Sequence, residues 1–310
     1  MNGSGGSQFH PGTPGDGRCA NGLMVTASRS TMRIRLVAAA GAVAAVVFCA
    51  GGPTVAHAAT SQHEVSSAGT HLRAPDMSTG SIIRHGLSSS NSLDWAGYAV
   101  TGPTITSVSG SWTQPAAICP GTKAQQSAFW VGIDGFTSDS TTVEQIGTDA
   151  DCTKGTHRNP GGPVYYAWFE MYPLPLVVLD PATYPVTPGN VLSASVTASG
   201  SNYVLAITNV GHWSFSTTQV APGGTLNTSA ELVTEAPLLC KDGKCKPIAL
   251  ADFSSVAFTG ATVNGVALTA PGLTANRITM TKNRKGTVVK ASPSVLDPTG
   301  RAFVISWLHV

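Results

Sequence analysis

From Leu93 to its end the chain never sustains a helical period, and that excludes most fold classes at once. Short extended runs repeat instead, at 95–100, 105–113, 128–133, 143–147, 164–172, 191–198, 203–209, 213–220, 229–234, 256–259, 278–281, 287–291 and 303–307. They favour Val, Thr and aromatic residues, which sit well on a pleated, half-buried surface, and turn residues separate them. Many short strands with Gly and Pro turns predict an all-β chain, an antiparallel sandwich or barrel. A single domain of about 220 residues is within the usual size of such folds.

Four of these runs carry groups capable of chemistry. In Ala128-Phe-Trp-Val-Gly-Ile-Asp134, alternation places Phe129, Val131 and Ile133 on one face and Trp130, Gly132 and Asp134 on the other. Asp134-Gly135 then breaks the run, and Asp134 suits a turn as well as a site. The next run puts Val143, Gln145 and Gly147 on one side. A glutamine inside a strand is ordinarily a hydrogen-bonded filler, so this position gains meaning only from its neighbours.

From Val164 to Tyr172 the same period aligns Val164, Tyr166, Trp168, Glu170 and Tyr172, a carboxyl group flanked by aromatic rings. Tyr165, Ala167, Phe169 and Met171 face the other way. In the run beginning at Ser229, residues Ser229, Glu231, Val233 and Glu235 share a side. Two carboxyl groups on one strand face suit acid/base work, and two exposed glutamates would give the same pattern.

The front of the chain is of another kind. Residues 1–31 are rich in Gly, Ser and Pro without apolar periodicity, as in a leader or in sequence upstream of the true start. Met32-Arg-Ile-Arg35 followed by the apolar run 36–50 has the layout of a signal peptide, and Ala56-His57-Ala58 supplies the small residues of a cleavage site. Cleavage near Ala58 or Ala59 leaves an exported protein with no membrane attachment, since the run is shorter than the roughly 20 residues that span a bilayer. Residues 60–90, rich in Ser, His and Thr, read as a propeptide or linker, and 91–310 as the folded domain. Four arginines and one aspartate leave with the leader, so the formal net charge falls from +2 to −1. No basic face suggests nucleic acid.

Four cysteines remain after the leader, Cys119, Cys152, Cys240 and Cys245, and an even number in an exported chain points to disulfides. Three pairings are open. Cys240-Lys-Asp-Gly-Lys-Cys245 carries an Asp-Gly turn that can close a hairpin, which would leave Cys119 to Cys152. No Cys-x-x-Cys pair or nearby His favours zinc.

Taken in order, Phe129-Trp-Val-Gly-Ile-Asp-Gly135, Gln145-Ile-Gly147, Tyr165-Tyr-Ala-Trp-Phe-Glu-Met-Tyr-Pro173 and Ser229-Ala-Glu-Leu-Val-Thr-Glu235 resemble the motifs of the glutamic peptidases, or eqolisins. With Asp94-Trp-Ala-Gly-Tyr98 and Ala251-Asp-Phe-Ser-Ser-Val-Ala-Phe258 the resemblance spans about residues 91 to 310. It implies two curved antiparallel sheets packed face to face, a concanavalin-like jelly roll with the active site on the concave face. It assigns the catalytic pair to Glu231 and Gln145, and substrate contacts to Trp130, Asp134, Trp168, Glu170 and Tyr172. Glu235 matches a second acid of the family, and Met171 stands where the fungal members have a second tryptophan.

The expected chemistry is peptide hydrolysis without metal or cofactor. Glu231 would take the proton of a water and return it to the leaving amine, titrating near an ordinary glutamate's pKa of about 4.3, while the Gln145 amide steadies the oxyanion. Polypeptides are then the substrates and a monomer suffices. No Gly-x-Ser-x-Gly elbow, His-Glu-x-x-His or phosphate loop competes. A carbohydrate- or peptide-binding sandwich would use the same aromatic residues but has no need of both Gln145 and Glu231. Asp149 and Asp151 are expected to cap the loop closed by Cys152. Mass spectrometry of the exported, active protein tests the processing: an N-terminus near residue 90 is expected, and one near Thr60 would rule out a cleaved inhibitory segment.

Overall fold

Alternating burial carries the expected strands into a computed structural model that describes residues 87–157, 160–241, 244–283 and 285–310. The leader, the signal peptide and residues 60–86 of the linker lie outside the described residues. In chain order the strands are β1 (Leu87–Ser92), β2 (Trp95–Thr101), β3 (Ser107–Thr113), β4 (Ala128–Ile133), β5 (Val143–Thr153), β6 (Gly162–Tyr172), β7 (Val177–Val178), β8 (Val191–Ser199) and β9 (Asn202–Asn209). They continue with β10 (Trp213–Val220), β11 (Ser229–Glu235), β12 (Leu238–Lys241), β13 (Lys244–Pro247), β14 (Ser255–Val263), β15 (Thr274–Thr281), β16 (Val289–Pro293) and β17 (Phe303–Trp307).

Hydrogen bonding links fifteen of them in one path, β10-β9-β8-β3-β14-β17-β16-β15-β2-β11-β4-β5-β6-β7, with β1 added in parallel beside β15. The path doubles back, so β3, β8 and β9 pack against β4, β5 and β11. The result is a sandwich, with the two layers joined through β16, which pairs with both β15 and β17. Phe129, Val131, Ile133, Leu192, Val196, Leu205, Ile207, Leu232 and Phe258 fill the space between the layers. These are the alternate residues of their strands, as the period of two requires.

β2, β4, β5 and β11 depart from simple in/out alternation, because nearly every one of their residues is buried. Their second face carries another cluster, built on Trp95, Trp130, Val143, Tyr166, Trp168 and Val233. Strand ends also differ from the sequence reading. β5 runs on to Thr153 because Asp149 and Asp151 are held by side-chain hydrogen bonds and do not break the strand. β1 starts at Leu87, so the last residues read as linker belong to the sheet.

Cys119 and Cys152 form a disulfide. Cys245 is disulfide-bonded as well, and the β12–β13 ladder sets Cys240 opposite it.

Gly97 shows how closely the strands approach. It lies in β2 between Val233 and Ile278 with φ at 144°, and a Cβ there would stand 2.3 Å from the Leu232 carbonyl oxygen and 2.8 Å from Val233 Cα. Both obstacles are backbone and cannot rotate away. Gly97→Ala is therefore expected to destabilise the protein by about 3 kcal/mol or more, a drop of roughly 6–12 °C in the thermal midpoint by calorimetry.

Candidate functional site

The ladder of β11, β4, β5 and β6 arranges the chemistry in rows. Glu231 lies opposite Gly132, Gly132 opposite Gln145, and Gln145 opposite Glu170. Directly paired residues share a face, so all four side-chain positions look out from the second face of the sheet. Glu231 and Gln145 are two strands apart, about 10 Å between backbones at the usual strand spacing. Gly132 places no side chain between them. A Cβ at Gly132 would meet the Trp130 ring at 2.9 Å and Gln145 Cβ at 3.1 Å.

Two more rows stand beside this one. Val233, Trp130, Gly147 and Trp168 form the first, and Glu235, Ala128, Asp149 and Tyr166 the second. Gly147 gives way to Trp130, whose Cβ lies 2.5 Å from where a Cβ of residue 147 would be. The two indoles thereby flank a residue with no bulk. Trp130 donates its N–H to Glu235 at 2.9 Å and meets the Trp95 ring edge to face, while Trp168 donates to Asp149 at 2.6 Å. Tyr172, opposite Val143, packs on the same cluster from the other end.

Gln145 donates through Nε2 to Glu170 Oε2 at 2.7 Å. That bond uses one of its two amide hydrogens and sets which way the amide points. Glu231 is 0% exposed, yet neither carboxyl oxygen has a hydrogen-bond partner of good geometry. The Ser229 hydroxyl and the Phe136 amide come near enough to favour its charged form somewhat. Burial outweighs them, and with the charges of Asp134 and Glu144 it holds the Glu231 pKa well above the ordinary carboxyl range. The expected titration near 4.3 is thus overturned. Desolvation, not the neutral partner, decides the proton.

Burial and the charge of Glu235 likewise push Glu170 up to about 9, and burial pushes Glu235 up to about 8. Asp94 is likewise raised by burial and by the charge of Glu235. The buried amine of Lys290 acts in the opposite sense on Asp94.

Several of these partners escaped the sequence reading. Asp149 and Asp151 do not cap a loop: they sit within β5 and accept hydrogen bonds from Trp168, Tyr166 and Gln126. Their spacing of two, in step with Gln145 and Gly147, was the available signal. Glu144, pushed up to about 8 chiefly by burial, lies on the opposite parity and had none. The candidate contact Asp134 is fully buried, and its carboxylate accepts from the backbone amides of Leu226, Asn227 and Thr228 at 2.8–3.0 Å. It ties the end of β4 to the segment that leads into β11 and Glu231.

A family model described as the Peptidase A4 family matches residues 93–299. Among solved structures, the chain is similar to scytalido-glutamic peptidase with a transition-state analogue inhibitor, at 24% identity and a TM-score of 0.55, covering 69% of this chain and 98% of that one. It is also similar to SCP-B, an eqolisin-family member in complex with the tripeptide Ala-Ile-His, at 24% identity and a TM-score of 0.52 over the same shares. At this identity the likeness establishes the fold. No curated protein matches the chain.

The three amide bonds to Asp134 give a direct test of how the Glu231 strand is held. Asp134→Ala leaves three part-buried N–H groups without their acceptor, a loss of roughly 2–4 kcal/mol. Hydrogen exchange should accelerate at Leu226, Asn227 and Thr228 while the amides of β8 and β9 keep their protection.

Proposed function

The chain belongs to the Peptidase A4 family and is a glutamic endopeptidase, and on that premise we propose that it is a secreted enzyme cutting peptide bonds in acid with Glu231 and Gln145. The observation that carries this reading is the row Glu231, Gly132, Gln145: a carboxyl and an amide on one face, with a residue between them that carries no side chain.

The raised proton affinity of Glu231 shapes the order of events. In acid the group enters the cycle neutral, able to give a proton before it accepts one. As water adds to the scissile carbonyl carbon, Glu231 protonates the carbonyl oxygen and then receives a proton from the added water, leaving a gem-diol. Next it delivers that proton to the amide nitrogen. The C–N bond breaks, a diol hydroxyl returns its proton to Glu231, and an acid and an amine depart. The Gln145 amide donates to the oxygen on which charge develops, and its carbonyl oxygen orients the water. Trp130, Trp168 and Tyr172 supply flat apolar walls for substrate side chains, and Glu170 acts on the reaction by aiming Gln145.

Acid dependence follows from the sign of the shifts. A carboxyl whose folded pKa is raised contributes stability that is whole below its unfolded value and is lost as pH climbs through the folded value. For Glu144, Glu170 and Glu235 that loss extends to about 8–9, so the protonated site and the fold around it are kept in acid and lost on the alkaline side of that range.

Digestion of casein or haemoglobin across pH tests the reading. Activity is expected only on the acid side, unaffected by chelators or by inhibitors that need an aspartate pair. Glu231→Gln should reduce kcat by about 10²–10⁴-fold with circular dichroism unchanged. Activity persisting in that variant would refute the assignment.

A further inference from the structure

The strand ladder puts Glu144 where an aliphatic residue belongs. Directly paired residues share a face, and its partners are Ile133 of β4 and Met171 of β6, both in the core between the two layers. Ile146, two residues further along β5, points into the same core. Glu144 is 0% exposed, and neither of its carboxyl oxygens has a hydrogen-bond partner of good geometry among the described residues. Burying such a group weakens a fold while the carboxyl is neutral, and far more once it is ionised.

The layer it faces offers nothing to offset a charge. β3, β8, β9, β10, β14 and β17 contain no Asp, Glu, Lys, Arg or His. Their one ionisable side chain is Tyr203 of β9, whose hydrogen goes to Asn227 Oδ1 at 2.6 Å. Burial raises that phenol to about 12, so it stays neutral. In the layer of Glu144 itself, Asp134 at the end of β4 and Glu231 of β11 interact with it, and both are acids. Thr142, two residues before it, brings a hydroxyl near, and β6 places Met171 opposite. None of these groups is a cation.

We propose that Glu144 is a release built into the sandwich: once ionised it has to be hydrated, β5 parts from the facing layer, and Gln145 leaves its place in the row with Glu231. In acid the neutral carboxyl stays in the core and the ladder is whole. Glu144 touches no substrate. The release belongs to the fold and does not depend on the peptidase reading.

Its pH window follows from where the proton is held. Burial, with the charge of Asp134 adding to it, pushes Glu144 up to about 8 from the ordinary 4.5. Because the folded value is raised, its contribution to stability is complete below 4.5, declines as pH rises and is gone above about 8. Between those limits the folded chain keeps the Glu144 proton and the unfolded chain has lost it. Unfolding there releases one proton from this residue.

The test is the number of protons that the full chain releases on unfolding. Urea unfolding free energies measured between about pH 5 and about 7.5 give it as their slope against pH. Glu144→Gln keeps the shape of the side chain and cannot ionise, so unfolding should release about one proton fewer than in the wild type. Glu144→Met, close in volume, should show the same drop and covers the case of a glutamine variant that does not fold. At about pH 8.5, amide exchange in β5 and β9, corrected for base catalysis, should be faster in the wild type than in the variants, with β14 and β17 alike in all three. A role in packing alone lowers stability at every pH and leaves the slope unchanged. Wild-type proton release in the variants, or β5 and β9 amides that exchange alike in all three proteins, would overturn the release. Neither measurement uses a substrate, so failure of the release and failure of the peptidase reading are separate results.

Discussion

A carboxyl group taken out of water holds its proton more tightly, and the second face of this sheet buries such groups repeatedly. Glu231, Glu170, Glu235, Asp94 and Asp151 are all buried, and desolvation is the largest influence on each. Once the pH passes the raised values of about 8 for Glu235 and about 9 for Glu170, such a surface accumulates repulsion in a medium that screens it poorly. In acid the same groups are hydrogen-bonding neutral acids, and the face holds together. The chemistry and the stability of the protein therefore draw on one source.

Burial on that scale requires strands that are covered on both sides. Sandwich packing covers one face of β2, β11, β4, β5 and β6 with aliphatic and aromatic side chains, and Trp95, Trp130, Tyr166 and Trp168 occupy the other. Small residues make room for this. Gly132, Gly147 and Ala128 stand in the middle of the three rows, so the large or charged groups on either side can lean over them. Two of the indoles are then held by their N–H on a carboxyl group, Trp130 on Glu235 and Trp168 on Asp149. An apolar ring and an acid are thus positioned as a unit.

Much of this was legible in the sequence, because a period of two is strict. Trp130 with Gly132, Gln145 with Gly147, Trp168 with Glu170, and Glu231 with Glu235 were each placed on a common face from alternation alone, and the structure keeps every one of those parities. Alternation failed where a polar residue in a strand looked like the end of the strand. Asp149 and Asp151 read as loop caps because their partners, Trp168 and Tyr166 on the neighbouring strand and Gln126 before β4, come from other parts of the chain. Glu144 was overlooked because its effect on Glu231 is Coulombic and leaves no pattern.

The sequence by itself determined the strand periodicity, the parity of each side chain and the all-β class, since these depend on neighbours one or two residues away and on steric preference. Only the tertiary structure decided which strands lie side by side, and so that Glu231 and Gln145 flank Gly132 instead of facing different neighbours. It alone also decided the protonation of Glu231, because a pKa is set by what surrounds a group in space and this carboxyl is enclosed by residues from β4, β5 and the loop between them.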